Sequence, residues 1–283
     1  MISVSGKIWT EQKVNKNLVE KFKQDYGLGD IITRLIISRN YDTSEIYGIN
    51  NKQKLINIFK DDKDFDKASL ILINAINNNE NICILGDYDV DGVCATSLLV
   101  RYFNSINQKH FFYIPDRTED GYGASKKLFQ KLILKKPKLV IMVDCGSTSN
   151  EAIEYLNKHN IKSIIIDHHE INKPYPKSNV IINPKKESIK KEKSLLCATA
   201  LTYFFIETII QKTKSDFKIS NFLIYVLLAT VCDVMPLRKI NRIIAHNTID
   251  NFNIKNYVAL NYIFEQYKLK KKLTIDDLGF LIG

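Results

Sequence analysis

The sequence predicts an α/β fold in which a parallel sheet is flanked by helices, with a helical N-terminal extension and a helical C-terminal part. Helical and strand patterns alternate from about residue 65 to about residue 167, as they do in βαβ units. The continuous apolar runs "LVIMV" and "SIIII" are typical of strands that are buried on both faces. A chain of 283 residues is also long enough to bury a sizeable core.

The chain begins with helical patterns that contain no catalytic candidates. These are "NLVEKFKQDYG" and "DIITRLIISRN", and they predict an N-terminal extension over residues 1–64. The next pattern, "DFDKASLILINAINNN", predicts an amphipathic helix that leads into the strand "NICILGD". We expect a central domain over residues 65–240 to begin with this helix.

The central domain continues as alternating helices and strands. The predicted pairs are the helix "GVCATSLLVRYFNSI" with the strand "HFFYIP", the helix "SKKLFQKLILKK" with the strand "KLVIMVD", and the helix "NEAIEYLNKHN" with the strand "IKSIIID". From Leu195 the pattern becomes helical, in "LCATALTYFFIETIIQK", "SNFLIYVLLATVCDV" and a tail that begins at about Asn241. Residues 241–283 are therefore expected to form a connecting helical segment.

The formal net charge of +10 allows two interpretations. It is typical of a protein with a polyanionic partner, but lysines spread along the whole chain form a solvated surface just as readily. Only six of the 41 basic residues are arginines, so the arginines are the better candidates for specific contacts.

No apolar run has the length of a membrane helix, and the first residues lack the apolar core of a signal peptide. We expect a soluble, cytoplasmic protein whose five scattered cysteines are reduced.

Acidic and imidazole side chains follow three of the predicted strands, at the point where each strand ends. They are Asp87, Asp89 and Asp91 in "ILGDYDVDG", Asp144 in "IMVDCGS", and Asp167, His168 and His169 in "IIIDHHE", and the helix "LLATVCDVMPL" adds Asp233. Each of them taken alone has a structural explanation, such as a helix N-cap for an Asp or an exposed surface position for a His. Because ligands of parallel α/β sheets gather at the carboxyl ends of the strands, we expect the whole set to lie at one edge.

Such a set of side chains predicts a metal site. Several carboxylates that converge on one edge repel one another unless a cation compensates their charge. Carboxylate and imidazole ligands without thiolates suit Mn²⁺ or Mg²⁺. A cluster of this size can hold two ions about 3.5–4 Å apart, which is the arrangement used for in-line attack on phosphorus.

These motifs resemble those of the DHH phosphoesterase superfamily, whose name-giving triplet stands here as Asp167-His168-His169. Within it, the chain is most similar to the RecJ family of single-strand-specific exonucleases. The resemblance rests on "NICILGDYDVDGVCATSLL", "YIPDRTEDGYGAS", "VIMVDCGSTS", "IIIDHHE", "VIINPKK" and "LLATVCDVMPLRKINR". It extends from about residue 65 to the end of the sequence.

The resemblance implies a set of metal ligands. Asp89 and Asp91 would bind metal, Asp144 would bridge the two ions, and the sites would be completed by His168 and Asp233. The cofactors would be two Mn²⁺ or Mg²⁺ ions.

Other positions depart from the family pattern or imply contacts with substrate. Many relatives have a histidine four residues before the first of the two aspartates, where this chain has Leu85, so we expect Asp87 to supply the missing contact. The resemblance implies that Asp167 orients the histidines, that His169 lies near the scissile phosphate and that Arg117 faces the substrate. A further departure is "LCATALTYFF", which replaces a glycine-bearing segment and is expected to alter helix packing near the site.

The function implied by the resemblance is a metal-dependent phosphodiesterase that degrades single-stranded DNA from its 5′ end in DNA repair and recombination. Single-stranded DNA would be the main partner, with a single-strand-binding protein or a helicase as further partners, and the protein is expected to be a monomer. In RecJ proteins, residues similar to "DLGFLIG" lead into a second, DHHA1-like domain that binds DNA. The chain is therefore expected to be a core truncated after the DHH domain.

Two other functions stay open at this point. DHH relatives also hydrolyse short oligonucleotides, cyclic dinucleotides or pyrophosphate, and an open one-domain site would favour such small substrates. A non-catalytic scaffold module of the CDC45-like kind is the third candidate. A non-catalytic module is expected to have lost some of the metal-binding side chains, whereas the set of Asp and His residues is complete in this chain.

Overall fold

The computed structural model of the protein describes residues 2–8, 10, 12–121, 123–186, 192–267 and 272–283. The chain forms two compact units, Met1–Lys54 and Leu55–Gly283. The second unit begins before the first residue of the predicted central domain, because Phe59 already belongs to its buried core. The domain boundary at residue 64 stays a prediction.

The described residues of the first unit form three helices, α1 (Lys16–Tyr26), α2 (Asp30–Ser38) and α3 (Thr43–Asn50). The Asn15 side chain caps α1 by accepting hydrogen bonds from the first-turn N–H groups, and the helix ends at Gly27 in the left-handed conformation. A capping box between Asp42 and Glu45 starts α3. The helical character predicted for the N-terminal extension is confirmed.

The second unit is built on one five-stranded sheet. The strands are β1 (Ile82–Leu85), β2 (His110–Tyr113), β3 (Leu139–Val143), β4 (Lys162–Ile166) and β5 (Val180–Ile182). Their order is β2-β1-β3-β4-β5, and every neighbouring pair is parallel. All five carboxyl ends consequently point to the same edge, as the predicted fold class requires. The strand β5 was identified in the sequence only as a motif, because its three residues are too few for a periodicity to show.

Helices cover both faces of the sheet. The α-helices described in the second unit are α4 (Lys63–Asn77), α5 (Val90–Ser105), α6 (Lys126–Leu132), α7 (Asn150–Lys158), α8 (Ala198–Thr213), α9 (Leu223–Cys232), α10 (Lys239–Asn251), α11 (Val258–Gln266) and the short α12 (Ile275–Asp277). Alternate residues of β3 point to opposite faces: Ile141 packs in the cluster with α4, α5, α8 and α9, and Met142 packs with α6 and α7. All five residues of β3 are buried, which explains its uninterrupted apolar sequence.

The helix α8 is nearly encased by its neighbours. It packs against α4, α5 and α9, and eleven of its 16 residues are buried. Each fully buried leucine or isoleucine contributes roughly 1.5–3 kcal/mol relative to an exposed one, so this packing is a major part of the stability of the unit. No helix in the described part of the chain combines the length and apolarity needed to cross a membrane.

Candidate metal centre

The carboxyl edge of the sheet brings the strand-end residues together. Asp144 follows β3 directly, Asp167 follows β4 directly, and Asp87 stands two residues beyond the end of β1. All three are about 1% exposed. Because the strands are parallel and in register, their ends form one row, and the side chains converge there as the sequence predicts.

Asp144 is the central carboxylate. Both of its side-chain oxygens are buried and have no hydrogen-bond partner among the residues that the structure describes. Burial, followed by the negative charges of Asp91 and Asp89, raises the pKa of Asp144 to about 12. Its backbone is left-handed, with a φ of 60°, a conformation that Asp tolerates better than most residues. A buried carboxylate that accepts no hydrogen bond lowers the stability of the folded state, unless a cation or a proton neutralises it. We therefore expect a cation or a proton at Asp144.

The ring of His168 lies at the meeting point of three carboxylates. Its Nε2 atom is 3.3 Å from Oδ1 of Asp144, 3.5 Å from Oδ2 of Asp233 and 3.6 Å from Oδ2 of Asp91. The side chain is buried, and neither ring nitrogen makes a hydrogen bond to the described residues. The imidazole nitrogen of His168 and oxygens of three carboxylates thus lie close together, and the nitrogen forms no hydrogen bond with any of these oxygens.

Among the described residues, this convergence produces three overlapping groups of possible ligand atoms. Within each group the atoms lie within 4.8 Å of one another, and the groups are Asp87 with Asp89 and Asp144, Asp91 with His168 and Asp233, and Asp144 with His168 and His169. Asp144 is shared by two groups, and His168 is also shared by two. The six residues expected to bind metal therefore all lie in these groups, together with His169.

Asp89 and Asp91 are held differently, although both belong to the start of α5. Asp89 is the exposed N-cap of α5 and accepts a hydrogen bond from the N–H of Gly92 at 3.0 Å. Asp91 is buried and caps another helix, because its carboxylate accepts from the N–H groups of Ala198 at 2.7 Å and Thr199 at 2.8 Å. The hydroxyl of Thr199 also donates to the Asp91 carbonyl oxygen at 2.8 Å. The N-terminus of α8, which has no cap of its own, thereby compensates part of the Asp91 charge.

Asp167 lies outside the three groups and binds the loop that contains the histidines. Its carboxylate accepts hydrogen bonds from Nδ1 of His169 at 2.8 Å, from the N–H of His168 at 2.7 Å and from the N–H of Ser147 at 3.0 Å. Burial alone would raise the pKa of Asp167, but the hydrogen bonds from His169 and Ser147 outweigh it and lower that pKa below its ordinary value. The same hydrogen bond raises the pKa of His169. Asp167 thus fixes the orientation of the His169 ring and favours its protonated form.

Asp233 comes from the end of helix α9 and lies beside His168 in the candidate centre. It is the C-cap residue of α9 and is half-buried, and its Oδ2 atom has no hydrogen-bond partner in the described part of the chain. Burial raises the pKa of Asp233, while the nearby His168 opposes that rise. The next residue, Val234, has a φ of 54°, so the chain turns sharply here and leaves the carboxylate at the rim of the site.

Arg117 is exposed and lies beside the centre rather than in it. Its guanidinium carbon is 5.5 Å from the centroid of the Tyr88 ring, and Tyr88 stands between Asp87 and Asp89 in the chain. This contact connects the loop after β2 to the loop after β1. Leu85 is fully buried in the sheet, and Asp87, two residues later, belongs to one of the ligand groups. That Asp87 supplies a metal contact in this region stays a prediction.

The donor set fits a hard divalent cation. Carboxylate oxygens dominate it, and imidazole nitrogens supply the rest, as Mn²⁺ and Mg²⁺ sites allow. Nearby thiols do not compete as ligands, because burial raises the pKa of Cys94 to about 12 and that of Cys145 well above its ordinary value. The unpartnered oxygens of Asp144 are the atoms that such an ion would satisfy.

Sequence reasoning missed several residues that support the centre. Ser147 donates its N–H to Asp167, and the Asn183 side chain donates to the Ser147 hydroxyl at 2.8 Å and to the His169 carbonyl at 2.9 Å. Asn183 belongs to the "VIINPKK" motif, which was the available signal. Thr199 had no such signal, because its contact with Asp91 joins residues 108 positions apart.

The sequence of this chain is similar to those of known proteins. The sequence model of the DHH family, N-terminal domain, matches residues 81–230, which is more than half of the chain and includes the strands that lead to the centre. The single-stranded-DNA-specific exonuclease RecJ of Bacillus subtilis (strain 168) is 24% identical over 273 residues, covering 96% of this chain and 33% of that protein. The protein of the same name from Escherichia coli (strain K12) is 28% identical over 231 residues, covering 77% and 40%.

A solved structure has the same fold. RecJ from Thermus thermophilus in complex with Mn²⁺ superimposes with a TM-score of 0.77 over 95% of this chain and 38% of that chain, at 19% sequence identity. The chain thus spans between a third and two fifths of the length of these RecJ proteins. With the family match over its central sheet and homology to RecJ exonucleases along most of its length, this chain belongs to the DHH family.

Proposed function

We propose that this chain is a metal-dependent phosphodiesterase that removes nucleotides from the 5′ end of single-stranded DNA. The observation that carries the proposal is the carboxylate of Asp144, which is shared by two of the ligand groups. Both of its oxygens are buried and have no hydrogen-bond partner among the described residues. The similar B. subtilis and E. coli proteins are single-stranded-DNA-specific exonucleases, which supports the substrate class. The 5′ to 3′ polarity and a role in DNA repair and recombination rest on the resemblance of the motifs.

Two groups of residues would hold the proposed Mn²⁺ or Mg²⁺ ions. Asp87 and Asp89 would bind one ion and Asp91, His168 and Asp233 the other, with Asp144 shared between them. Similar RecJ structures from T. thermophilus contain Mn²⁺ or Mg²⁺, which supports this pair of metals. When bound, such ions supply a water of lowered pKa and neutralise charge on the phosphoryl oxygens.

The surrounding residues would act on the substrate directly. His169 is part-exposed and has a raised pKa, so its ring is suited to hold a proton beside the scissile phosphate while Asp167 fixes its orientation. The planar guanidinium of Arg117 can bind two phosphate oxygens at once. The Tyr88 ring under the guanidinium would keep Arg117 on the side of the metal centre.

The proposed catalytic domain, residues 65–240, contains every residue to which we assign a role. The proposal further places the protein in the cytoplasm as a monomer, with a single-strand-binding protein or a helicase as its partners during repair. These finer points rest on the sequence patterns and on the resemblance of the motifs to those of the RecJ family.

A cleavage assay with two labels tests the proposal. Single-stranded DNA labelled at the 5′ or the 3′ end is incubated with the protein and Mn²⁺ or EDTA, beside the Asp144→Ala variant. We expect metal-dependent release of labelled mononucleotide from the 5′ end and a loss of at least a thousandfold in the variant. Asp61→Asn, an exposed carboxylate just before α4, is the matched control and should retain full activity.

The other results of this assay contradict the proposal in distinct ways. Turnover of a dinucleotide without attack on the long strand would indicate a phosphodiesterase of small substrates. Release from the 3′ end would overturn the polarity. An absence of turnover for every substrate, in a protein that binds Mn²⁺, would favour a non-catalytic module.

A further inference from the structure

A second candidate binding site lies away from the metal centre. It is a cleft of about 1140 Å³ at the C-terminal end of α5 and the N-terminal end of α9. The residues that characterise it, here called the aromatic cleft, are Arg101, Asn221, Phe222, Tyr225, Tyr257 and Tyr262. Its volume is comparable to that of sites that accept organic ligands of several rings.

Aromatic rings and the guanidinium of Arg101 form much of the wall of the aromatic cleft. The guanidinium carbon of Arg101 is 5.3 Å from the centroid of the Phe222 ring, and the Phe222 and Tyr225 rings are stacked with centroids 6.3 Å apart. Tyr257 contacts Tyr225 edge-on at the same centroid distance. Tyr262, on α11, is 62% exposed. Stacking platforms of this kind accept nucleobases, because every base has a flat π-face.

The polar groups of the aromatic cleft favour a polyanion that carries bases. Arg101 is the one charged residue among the described residues that line it, and no carboxylate is among them. Asn221 and Asn256 add amide groups, which can both donate to and accept from base edges. A phosphate of such a ligand would find the guanidinium of Arg101, and no carboxylate among the described lining residues would repel it.

Two helices connect the aromatic cleft to the metal centre. Asp89 is the N-cap of α5, and Arg101 follows twelve residues later, which corresponds to about 18 Å along the helix. The helix α9 starts next to Phe222 and ends at Asp233, so it joins the same two places in the opposite direction. A strand with stacked bases advances about 3.4 Å per nucleotide, so roughly five nucleotides would cover this distance.

The outer face of α5 offers a path of suitable character. Val93, Ser97, Arg101 and Asn104 follow one another at helical spacing on the side that is not buried. None of the four is acidic, so nothing on this stripe would repel a phosphate backbone. The stripe runs from the beginning of α5 at the metal centre to the aromatic cleft.

From these observations we propose that the aromatic cleft is a nucleobase-stacking subsite for single-stranded DNA, about five nucleotides to the 3′ side of the bond that is cleaved at the metal centre. The inference rests on the proposed function and adds a prediction of its own: substrates long enough to reach the aromatic cleft bind more tightly than shorter ones. Arg101 would contact the backbone phosphate, while Tyr262 and the rings beside it would stack on bases.

The test compares a dinucleotide with a ten-nucleotide oligothymidylate, both 5′-phosphorylated, in the presence of Mn²⁺. The variants are Arg101→Gln and Tyr262→Ala, both at exposed positions outside the metal centre. We expect each variant to raise the KM for the long substrate about tenfold and to leave kcat and KM for the dinucleotide unchanged. Tyr267→Ala is the matched control, because Tyr267 is 63% exposed at the C-terminal end of the same helix and does not line the cleft.

The two proposals fail in different ways. If the dinucleotide is cleaved but neither variant changes the KM of the long substrate, the subsite is overturned and the proposed function stands. If the protein cleaves no substrate, the proposed function fails, and fluorescence anisotropy of a labelled ten-nucleotide strand without metal still tests the cleft. A roughly tenfold loss of that affinity in both variants supports the subsite, whereas unchanged affinity overturns it and leaves the cleft as a surface for a protein partner.

Discussion

Oδ1 of Asp144 lies 3.3 Å from Nε2 of His168, and neither atom has a hydrogen-bond partner among the described residues. The two side chains come from adjacent parallel strands, β3 and β4, so the sheet itself brings them together. An acceptor oxygen and an imidazole nitrogen at this distance, both buried, stabilise each other only through a third species. A divalent cation and a shared proton are the two candidates.

The first prediction concerns this third species. Addition of Mn²⁺ to the metal-free protein is expected to raise the Tm, because an ion that binds only the folded state stabilises it by mass action. The Asp144→Asn variant keeps the shape of the side chain but removes the shared ligand charge, so its Tm should respond far less. Differential scanning fluorimetry with and without EDTA measures both. An equal rise in the two proteins would show that Asp144 is not a ligand.

The second prediction concerns pH in the absence of metal. Because the pKa of Asp144 is raised from 3.8 to about 12, the folded protein holds a proton that the unfolded chain releases above about pH 4. The free energy of unfolding is thus expected to fall as the pH rises from 5 to 8. Urea denaturation in EDTA at several pH values measures this, and Asp144→Asn should show a flatter dependence. A wild-type stability that increases with pH over this range would contradict the raised pKa.

Mn²⁺ should counteract this fall in stability with pH in the wild-type protein. Metal ligands bind in their deprotonated form, so the metal competes with the proton and its stabilising effect grows with pH. The difference in Tm between Mn²⁺ and EDTA, measured at pH 5 and pH 8, is therefore expected to be larger at pH 8.

The third prediction concerns the hydrogen bond between Asp167 and His169. Since this bond raises the pKa of His169, the Asp167→Asn change is expected to lower that pKa towards its ordinary value. An NMR titration of the imidazole resonances in the metal-free protein measures the shift. His159 is the internal control, because it lies on the surface and its hydrogen bond is to the carbonyl oxygen of Tyr155. An unchanged pKa of His169 would mean that Asp167 does not govern its protonation.

The fourth prediction compares how the hydroxyl groups of two buried threonines of α8 contribute to the free energy of unfolding. Thr199→Val removes the hydroxyl that donates to Asp91 and is expected to cost about 1 kcal/mol of unfolding free energy. Thr202 is equally buried, but its hydroxyl has no hydrogen-bond partner among the described residues, so Thr202→Val should be neutral or stabilising. Urea denaturation of both variants is the measurement. A larger loss in Thr202→Val than in Thr199→Val would contradict the role assigned to the Thr199 hydroxyl.

The sheet edge and its carboxylates could be predicted from the sequence because both depend on local patterns. Buried parallel strands have continuous apolar sequences, and the residue after such a strand has to lie at the carboxyl edge. Asp144 and Asp167 directly follow strands of this kind, so their convergence required only the assumption that the strands are parallel.

Other features depend on contacts between distant parts of the chain and could not be predicted in this way. The sequence around Asp91 indicates an aspartate in the first turn of α5, and nothing in it indicates that the carboxylate caps α8. The aromatic cleft likewise combines Arg101 with residues more than 100 positions later in the chain. The short strand β5 was missed for another reason, since three residues contain too little periodicity to be assigned.

The capping of α8 by Asp91 determines when the centre can assemble during synthesis. The two hydrogen-bonded partners are separated by 107 residues, so Asp91 leaves the ribosome long before Ala198 exists. At roughly 5–20 residues per second, the nascent chain carries its acidic motif for about 5–20 s before its helix partner is made, and Asp233 follows later still. A nascent chain that is interrupted before α8 therefore contains the aspartates of the first motif. It lacks both the N-terminus of α8 that binds Asp91 and the later ligand candidate Asp233.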